Sequence, residues 1–424
     1  MLNRRRSIQR LPRHATRIRV YDLGVRSCLP ILLIFAALAT TACTEQRPPD
    51  FDIPAPLTLR AGQPAVGPRL VQGPGGSVNL SWMERQKDSA ILRYSKYLDG
   101  RWQAPVDVVI DPNMFVNWAD LPGVQTTGAD ESFAYWMSYT SDDTYSYQLL
   151  TSQSSDQGKT WSTPISPHTD GTNTEQGSVS TFPSASGTGL MWLDGRNSPL
   201  RGITLRSAEI ASDGILSNET LLDDLVCDCC PTDIAVSSKG PIAVYRNRSE
   251  GEIRDIYAAR QIEGQWQAGV AISDDGWKID GCPVNGPAIA AKGNFVVVAW
   301  FTGANNEPTV KTSISTNAGK SFSTPVIISN NAPLGRVGVA IIDATTYVVS
   351  WLEPDQKETF VINIRSLTAS GQMGRIRIAG RTSFASVLPQ MVRVDNKLVL
   401  AWTDDINGKS KIASVGVSIL GFYD

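Results

Sequence analysis

Seven times in this chain an apolar stretch ends in an aromatic residue followed by polar ones, at Trp82, Trp136, Trp192, Tyr245, Trp300, Trp351 and Trp402. The successive separations are 54, 56, 53, 55, 51 and 51 residues. A period near fifty residues suits one four-stranded antiparallel sheet per repeat, which predicts an all-β ring of blades, a β-propeller. Seven blades is the expected count, with six blades and an irregular extra segment as the alternative.

The order within a repeat is regular. In the first, strands are expected over 69–71, 77–82, 90–95 and 108–110, with a turn at Asp99-Gly100. The other repeats show the same short alternating runs bounded by Gly, Asn and Asp. The last repeat has strands at 397–402 and 411–417 and little chain left for an outermost one. Residues 56–60 are therefore expected to supply it, closing the ring and removing a free sheet edge. The propeller domain is drawn over 56–424.

The N-terminus reads differently. Residues 1–27 hold eight arginines and one acidic residue, Asp22, and an apolar run follows over 29–39. Together they have the basic and hydrophobic parts of an export signal over 1–42. The eleven-residue run falls short of the roughly 20 residues that a membrane-spanning helix needs. A start at Val25 would give a signal of ordinary length, which makes 1–24 a candidate over-called start. Ala39-Thr40-Thr41-Ala42-Cys43 resembles the lipobox of bacterial lipoproteins. The resemblance implies lipidation of Cys43, a membrane anchor and, with Thr44 next, the periplasmic face of the outer membrane or the cell surface. An ordinary signal peptide cut after Ala42 is the alternative. Residues 43–55, with Pro48, Pro49 and Pro54, read as the lipidated cysteine and a tether. Removing 1–42 takes away eight arginines and one aspartate, so the formal charge moves from −2 to −9. An acidic domain has no surface for neutralising phosphates, and nucleic acid is not an expected partner.

Ser154-Ser155-Asp156-Gln157-Gly158-Lys159-Thr160-Trp161 follows the pattern Ser-x-Asp-x-Gly-x-Thr-Trp, and Ser315, Asn317, Gly319 and Phe322 make a softened copy. The pattern resembles the Asp-box of the sialidase and BNR-repeat superfamily, in which it is structural. The Asp or Asn can bond the turn backbone, Gly takes a positive φ, and the aromatic ring packs under the strands.

In a four-stranded meander the second-to-third-strand loops and the blade junctions share one face, here called the top. That face is expected to receive the polar residues after each repeat aromatic: Glu84 and Arg85, Asp194 and Arg196, Arg246 and Arg248, Glu353, Asp404 and Asp405. The resemblance to sialidases implies arginines that clamp a substrate carboxylate, a Tyr nucleophile with a Glu, and an acid/base Asp. Arg246, Arg248, Arg254, Tyr245, Glu252, Asp233 and Asp255 are the matching residue types, while the family's Arg-Ile-Pro triplet is missing. Asp194, Arg196, Asn285, Trp277 and Trp118 are candidate ligand contacts, with Asp120 and Lys278 beside them. The bland reading is an ion-pair network over 246–255 and packing for the aromatics.

Cys227, Cys229 and Cys230 open the fourth repeat and Cys282 the fifth, so they should be neighbours. One or two disulfides pinning adjacent blades is one reading, and a thiolate site for copper or zinc is the other. No further cofactor is expected. His168 is the one histidine beyond residue 42, so a Ser-His-Asp triad would depend on it. Two functions follow from these residues. One is a monomeric binding module for a glycan or protein ligand outside the cytoplasm; the other is a sialidase-like glycoside hydrolase.

Overall fold

A computed structural model describes residues 47–420 apart from 63, 169, 199, 357, 358 and 406, and in it each repeat is one antiparallel sheet. The signal, Cys43 and Thr44 lie outside the described residues. Blade 1 runs Ala65–Gln72, Val78–Arg85, Ala90–Leu98 and Val106–Asp111. Blade 2 has Gly123–Thr126, Ser132–Tyr139 and Tyr147–Ser154, extended by an isolated bridge from Thr151 to Ile165. Blade 4 begins with Asp233–Ser237 and Gly240–Arg246, and blade 5 with Ala288–Lys292 and Phe295–Thr302. The chain is a seven-bladed β-propeller, with no α-helix among the described residues.

Seven apolar clusters fill the wedges between neighbouring sheets. The repeat aromatics sit at their centres: Trp82, Trp192, Tyr245, Trp300 and Trp351 are fully buried, and Trp136 and Trp402 nearly so. Alternation along each second strand explains this, because every other residue faces the next blade and a large ring fills the widening gap.

The ring closes through its N-terminus, and the pairing takes in Pro56 and Leu57 of the expected segment but begins earlier. Asp50–Phe51 and Ala55–Pro56 pair antiparallel with the last strand, Ser410–Leu420. Phe51 is buried among blade 6 and 7 side chains, and Arg377 grips Asp50 at 2.7 Å. The segment read as tether therefore belongs to the propeller from residue 50. Its prolines hid the strand pattern, yet Pro56 is tolerated because an edge strand can spare one N–H.

Both Asp-box turns have the expected local geometry. Ser154 Oγ donates to Asp156 at 2.8 Å and accepts from the Gly158 N–H at 2.9 Å, while Thr160 donates to Asp156. Ser315, Asn317 and Gly319 repeat the arrangement. Gly158 and Gly319 have φ of 85° and 74°, which favours glycine there.

The inner strands line an axial channel of about 880 Å³. Its charged lining includes Arg69, Asp233, Lys292, Arg336 and Arg393. At the top, Arg336 lies 5.0 Å over the ring of Trp118 and donates to the carbonyls of Pro283 and Val284. The guanidinium of Arg336 is drawn down to about 10 by burial.

Candidate functional site

Most of the polar residues that follow the repeat aromatics are committed to the fold. In a strand, side chains two apart share a face. Trp82, Trp192 and Trp351 use this by donating their indole N–H to Glu84 (2.7 Å), Asp194 (2.9 Å) and Glu353 (2.7 Å). Trp136 and Trp300 reach Asp111 and Asp275 in the same way. Arg196 then holds Asp194 through Nε and Nη2, both at 2.8 Å, and also pairs with Glu219. Asp194 and Arg196, expected to touch a ligand, instead brace blade 3.

The proposed arginine clamp is also occupied. Arg246 is buried and donates to three backbone carbonyls, of Asn285 (2.9 Å), Arg254 (2.6 Å) and Phe301 (2.7 Å). Its guanidinium lies 4.7 Å over Trp277, whose ring packs edge-on against Phe301. Trp277 is thus a plug, and Arg246 is the bolt behind it. Asn285 is buried too, accepting from the Arg336 N–H and donating to the Leu334 carbonyl. Arg248 and Arg254 do converge, but on Glu252, at 2.7 and 2.8 Å, with Arg248 also reaching Asp228 at 3.1 Å. These arginines hold the Glu252 carboxyl below its usual range.

The remaining catalytic candidates scatter. Tyr245 is fully buried and donates to Asp223 at 2.7 Å; burial raises its hydroxyl far above the usual phenol range, so it is no nucleophile. Asp255 accepts the N–H groups of Gly276 and Trp277 and shapes a turn. Asp233 lines the channel, accepting from the Ile289 N–H at 2.9 Å. Burial pushes its carboxyl up, and Arg69 partly opposes this.

Of the four cysteines, Cys229 and Cys282 form a disulfide with a Cα–Cα distance of 6.1 Å, pinning the blade 4 and blade 5 junctions together. Cys227 and Cys230 are free and buried. The junctions are packed so closely that a Cβ on Gly286 would lie 1.7 Å from the Pro231 carbonyl oxygen.

A different cluster remains available for chemistry on the top face, and sequence reading passed over most of it. Tyr147, at the top of blade 2, points its hydroxyl at Glu175 Oε2, 3.4 Å away, with its ring stacked on Phe115 at 4.1 Å. Glu175 precedes the first strand of blade 3, Gln176–Pro183. Burial, together with the nearby charges of Asp228 and Asp120, pushes the Glu175 carboxyl up to about 7. Asp120 accepts the Ser178 N–H at 3.0 Å and is itself raised by burial. Tyr145, on the loop just before Tyr147, is exposed. A carboxyl bonded to a tyrosine hydroxyl, an ion-paired Asp228 and an exposed ring make this off-axis cluster the candidate site. The axial channel is a poorer candidate, since its charged lining is mostly basic and Asp233 is bonded to two N–H groups. A sequence signal for Glu175 did exist: it occupies a blade junction, as Asp228 does.

Known structures similar to this chain include polysaccharide lyases and glycosidases. The chain resembles the polysaccharide lyase Uly1 with a TM-score of 0.51 at 10% identity, over 86% of this chain and 92% of that one. An α-L-arabinofuranosidase of Fusarium graminearum, solved with arabinobiose, gives 0.47 at 12%, over 87% and 98%. The phage phi92 endosialidase gives 0.48 at 9%, over 89% and 70%. At these identities the likeness carries the fold alone. No family model matches the chain, and no curated protein matches it.

Proposed function

We propose that this propeller processes a glycan at the top of blades 2 to 4, with Glu175 as the proton-carrying group. The arrangement that carries the reading is a half-buried carboxyl 3.4 Å from a tyrosine hydroxyl, with burial and the charges of Asp228 and Asp120 pushing it up to about 7. Glycosidic cleavage needs one group that can give a proton to the leaving oxygen and an ionised partner. Glu175 fits the first role. Asp228, which is paired with Arg248, fits the second. Tyr147 keeps its proton, because burial and the neighbouring acids raise its hydroxyl, and so it orients Glu175 or bonds a sugar oxygen. Tyr145 offers a face for sugar stacking.

A sialidase-type reaction has less support, because Arg246, Arg248 and Arg254 already have partners. Membership of the sialidase and BNR superfamily rests on the two Asp-box turns. Export and lipid anchoring at Cys43 rest on the sequence of residues 1–43. We propose both on those grounds.

The test is incubation of the full chain with neutral and uronate-containing polysaccharides, following new reducing ends and ultraviolet-absorbing unsaturated uronates separately. Glu175→Gln should lower turnover at least ~100-fold, the usual contribution of a general acid. Binding without turnover in the parent would leave the non-catalytic binding module as the reading. Turnover unchanged in Glu175→Gln would remove Glu175 from the mechanism.

A further inference from the structure

Four sulfur atoms meet where the junctions of blades 4 and 5 touch. Cys282 is exposed and Cys229 half-buried, so their disulfide reaches solvent. Behind it lie Cys227 and Cys230, each 1% exposed. The Sγ atoms of Cys227, Cys229 and Cys230 all lie within 4.8 Å of one another.

The surroundings separate the two free sulfurs. Cys227 Sγ accepts from Arg254 Nη1 at 3.5 Å. The Cys230 thiol, the Cys229 N–H and the charge of Arg246 also favour its ionised form, bringing the thiol down to about 6. Burial pushes Cys230 well up, so it keeps its proton. The Glu252 carboxylate holds Arg254 in place from its other side, at 2.8 Å. Arg246 makes no salt bridge among the described residues, and its positive charge, held by three carbonyls, acts on both free sulfurs. A metal cation would have to settle beside two guanidinium groups, whereas a thiolate is stabilised by them.

We propose that the four cysteines form a thiol–disulfide relay, in which the buried Cys227/Cys230 pair exchanges with the Cys229–Cys282 disulfide and through it with small thiols and disulfides outside. The first step needs no outside reagent. Cys227 thiolate attacks Cys229, the Cys227–Cys229 bond forms, the Cys229–Cys282 bond breaks, and Cys282 leaves as an exposed thiolate. An external disulfide of the glutathione type is the oxidant. Cys282 attacks it, releasing one thiolate and forming a mixed disulfide. Cys230 gives up its proton, which ends on a released thiol, and attacks Cys227; the Cys227–Cys230 bond closes and Cys229 is freed. Cys229 then displaces the second external thiolate from Cys282. The buried pair has lost two electrons, the external disulfide has gained them, and Cys229–Cys282 is restored.

The experiment treats the purified full chain with oxidised glutathione at neutral pH, quenches with acid at intervals, alkylates, and maps each cysteine by peptide mass. Mapping keeps Cys28 and Cys43 separate from the four. A mixed disulfide should appear first on Cys282, followed by a Cys227–Cys230 bond as the mixed species decays. The double variant Cys229→Ser/Cys282→Ser keeps both buried thiols, and their oxidation should slow at least ~10-fold, since exposure governs access to a thiol. Glutathione mapped first on Cys227 or Cys230 in the parent would overturn the relay, whether or not the double variant folds. So would buried thiols that stay reduced, an equally fast double variant, or one zinc or copper per chain that blocks alkylation until chelated.

Discussion

A glutamate that holds its proton near pH 7 behaves oppositely to a surface carboxylate, in catalysis and in stability alike. If Glu175 acts as an acid, turnover should fall as pH rises through about 7, a limb that a pH–rate profile would reveal and that Glu175→Gln would lack. Its folded-state value lies above the unfolded one, so the native state binds the extra proton. The contribution of Glu175 to stability should accordingly be greatest at low pH and decline between about pH 4.5 and 7. Glu175→Gln should therefore be more stable than the parent at pH 8 by about 1–2 kcal/mol, after discounting for partial exposure, with the gain vanishing near pH 4 in denaturant titrations. Arg246 is the converse case, a charge serving architecture. Arg246→Ala would strand three buried carbonyls and should cost about 3–5 kcal/mol in chemical unfolding. Residue type was legible for both: the sequence shows an arginine cluster and a junction glutamate. What those side chains touch was not, because the carbonyls around Arg246 come from positions as distant as Phe301 and the acids around Glu175 from two other blades.

The turns and junctions divide along the same line. The defining core of the Asp-box turns was legible, since the bonds of Ser154 and Ser315 to the Asp or Asn and the Gly span two to four residues. Ser154→Ala and Ser315→Ala should each cost about 1 kcal/mol, as each hydroxyl accepts from two backbone N–H groups and donates to one side-chain acceptor; equal losses in thermal unfolding would show that Asn317 serves as well as Asp156. The acidic residues after the aromatics were misjudged for an equally physical reason. A period-two strand places Glu84, Asp194 and Glu353 beside the indole two positions back, and a buried indole N–H needs an acceptor more than a loop needs a charge. The junctions carrying Glu175, Asp228 and the cysteines follow no local rule, so their contents could be enumerated but their contacts could not.

Closure of the ring was legible as a need before it was legible as a segment. Seven repeats leave the seventh sheet one strand short, and a propeller with an open edge exposes a row of unpaired backbone groups to other chains. The strand arrives from Asp50–Phe51 and Ala55–Pro56, held by Phe51 in the core of blades 6 and 7, by the Arg377–Asp50 pair, and by backbone bonds from Asp52 and Leu57 to Ser418 and Ser414. Leu57 and Leu59 continue the contact into the wedge between blades 7 and 1. Deleting residues 47–60 should therefore do more than shorten a tail. It removes a buried phenylalanine, worth about 3–5 kcal/mol by itself, and uncovers the edge of Ser410–Leu420 together with the apolar wedge beside it. The shortened chain is expected to self-associate in light scattering. Phe51→Ala alone should lower the midpoint of unfolding without adding self-association, because the backbone pairing that covers the edge stays in place. A shortened chain that scattered light no more than the parent and was as stable would mean that the first and last blades hold the ring shut by packing alone, without the strand that completes the seventh sheet.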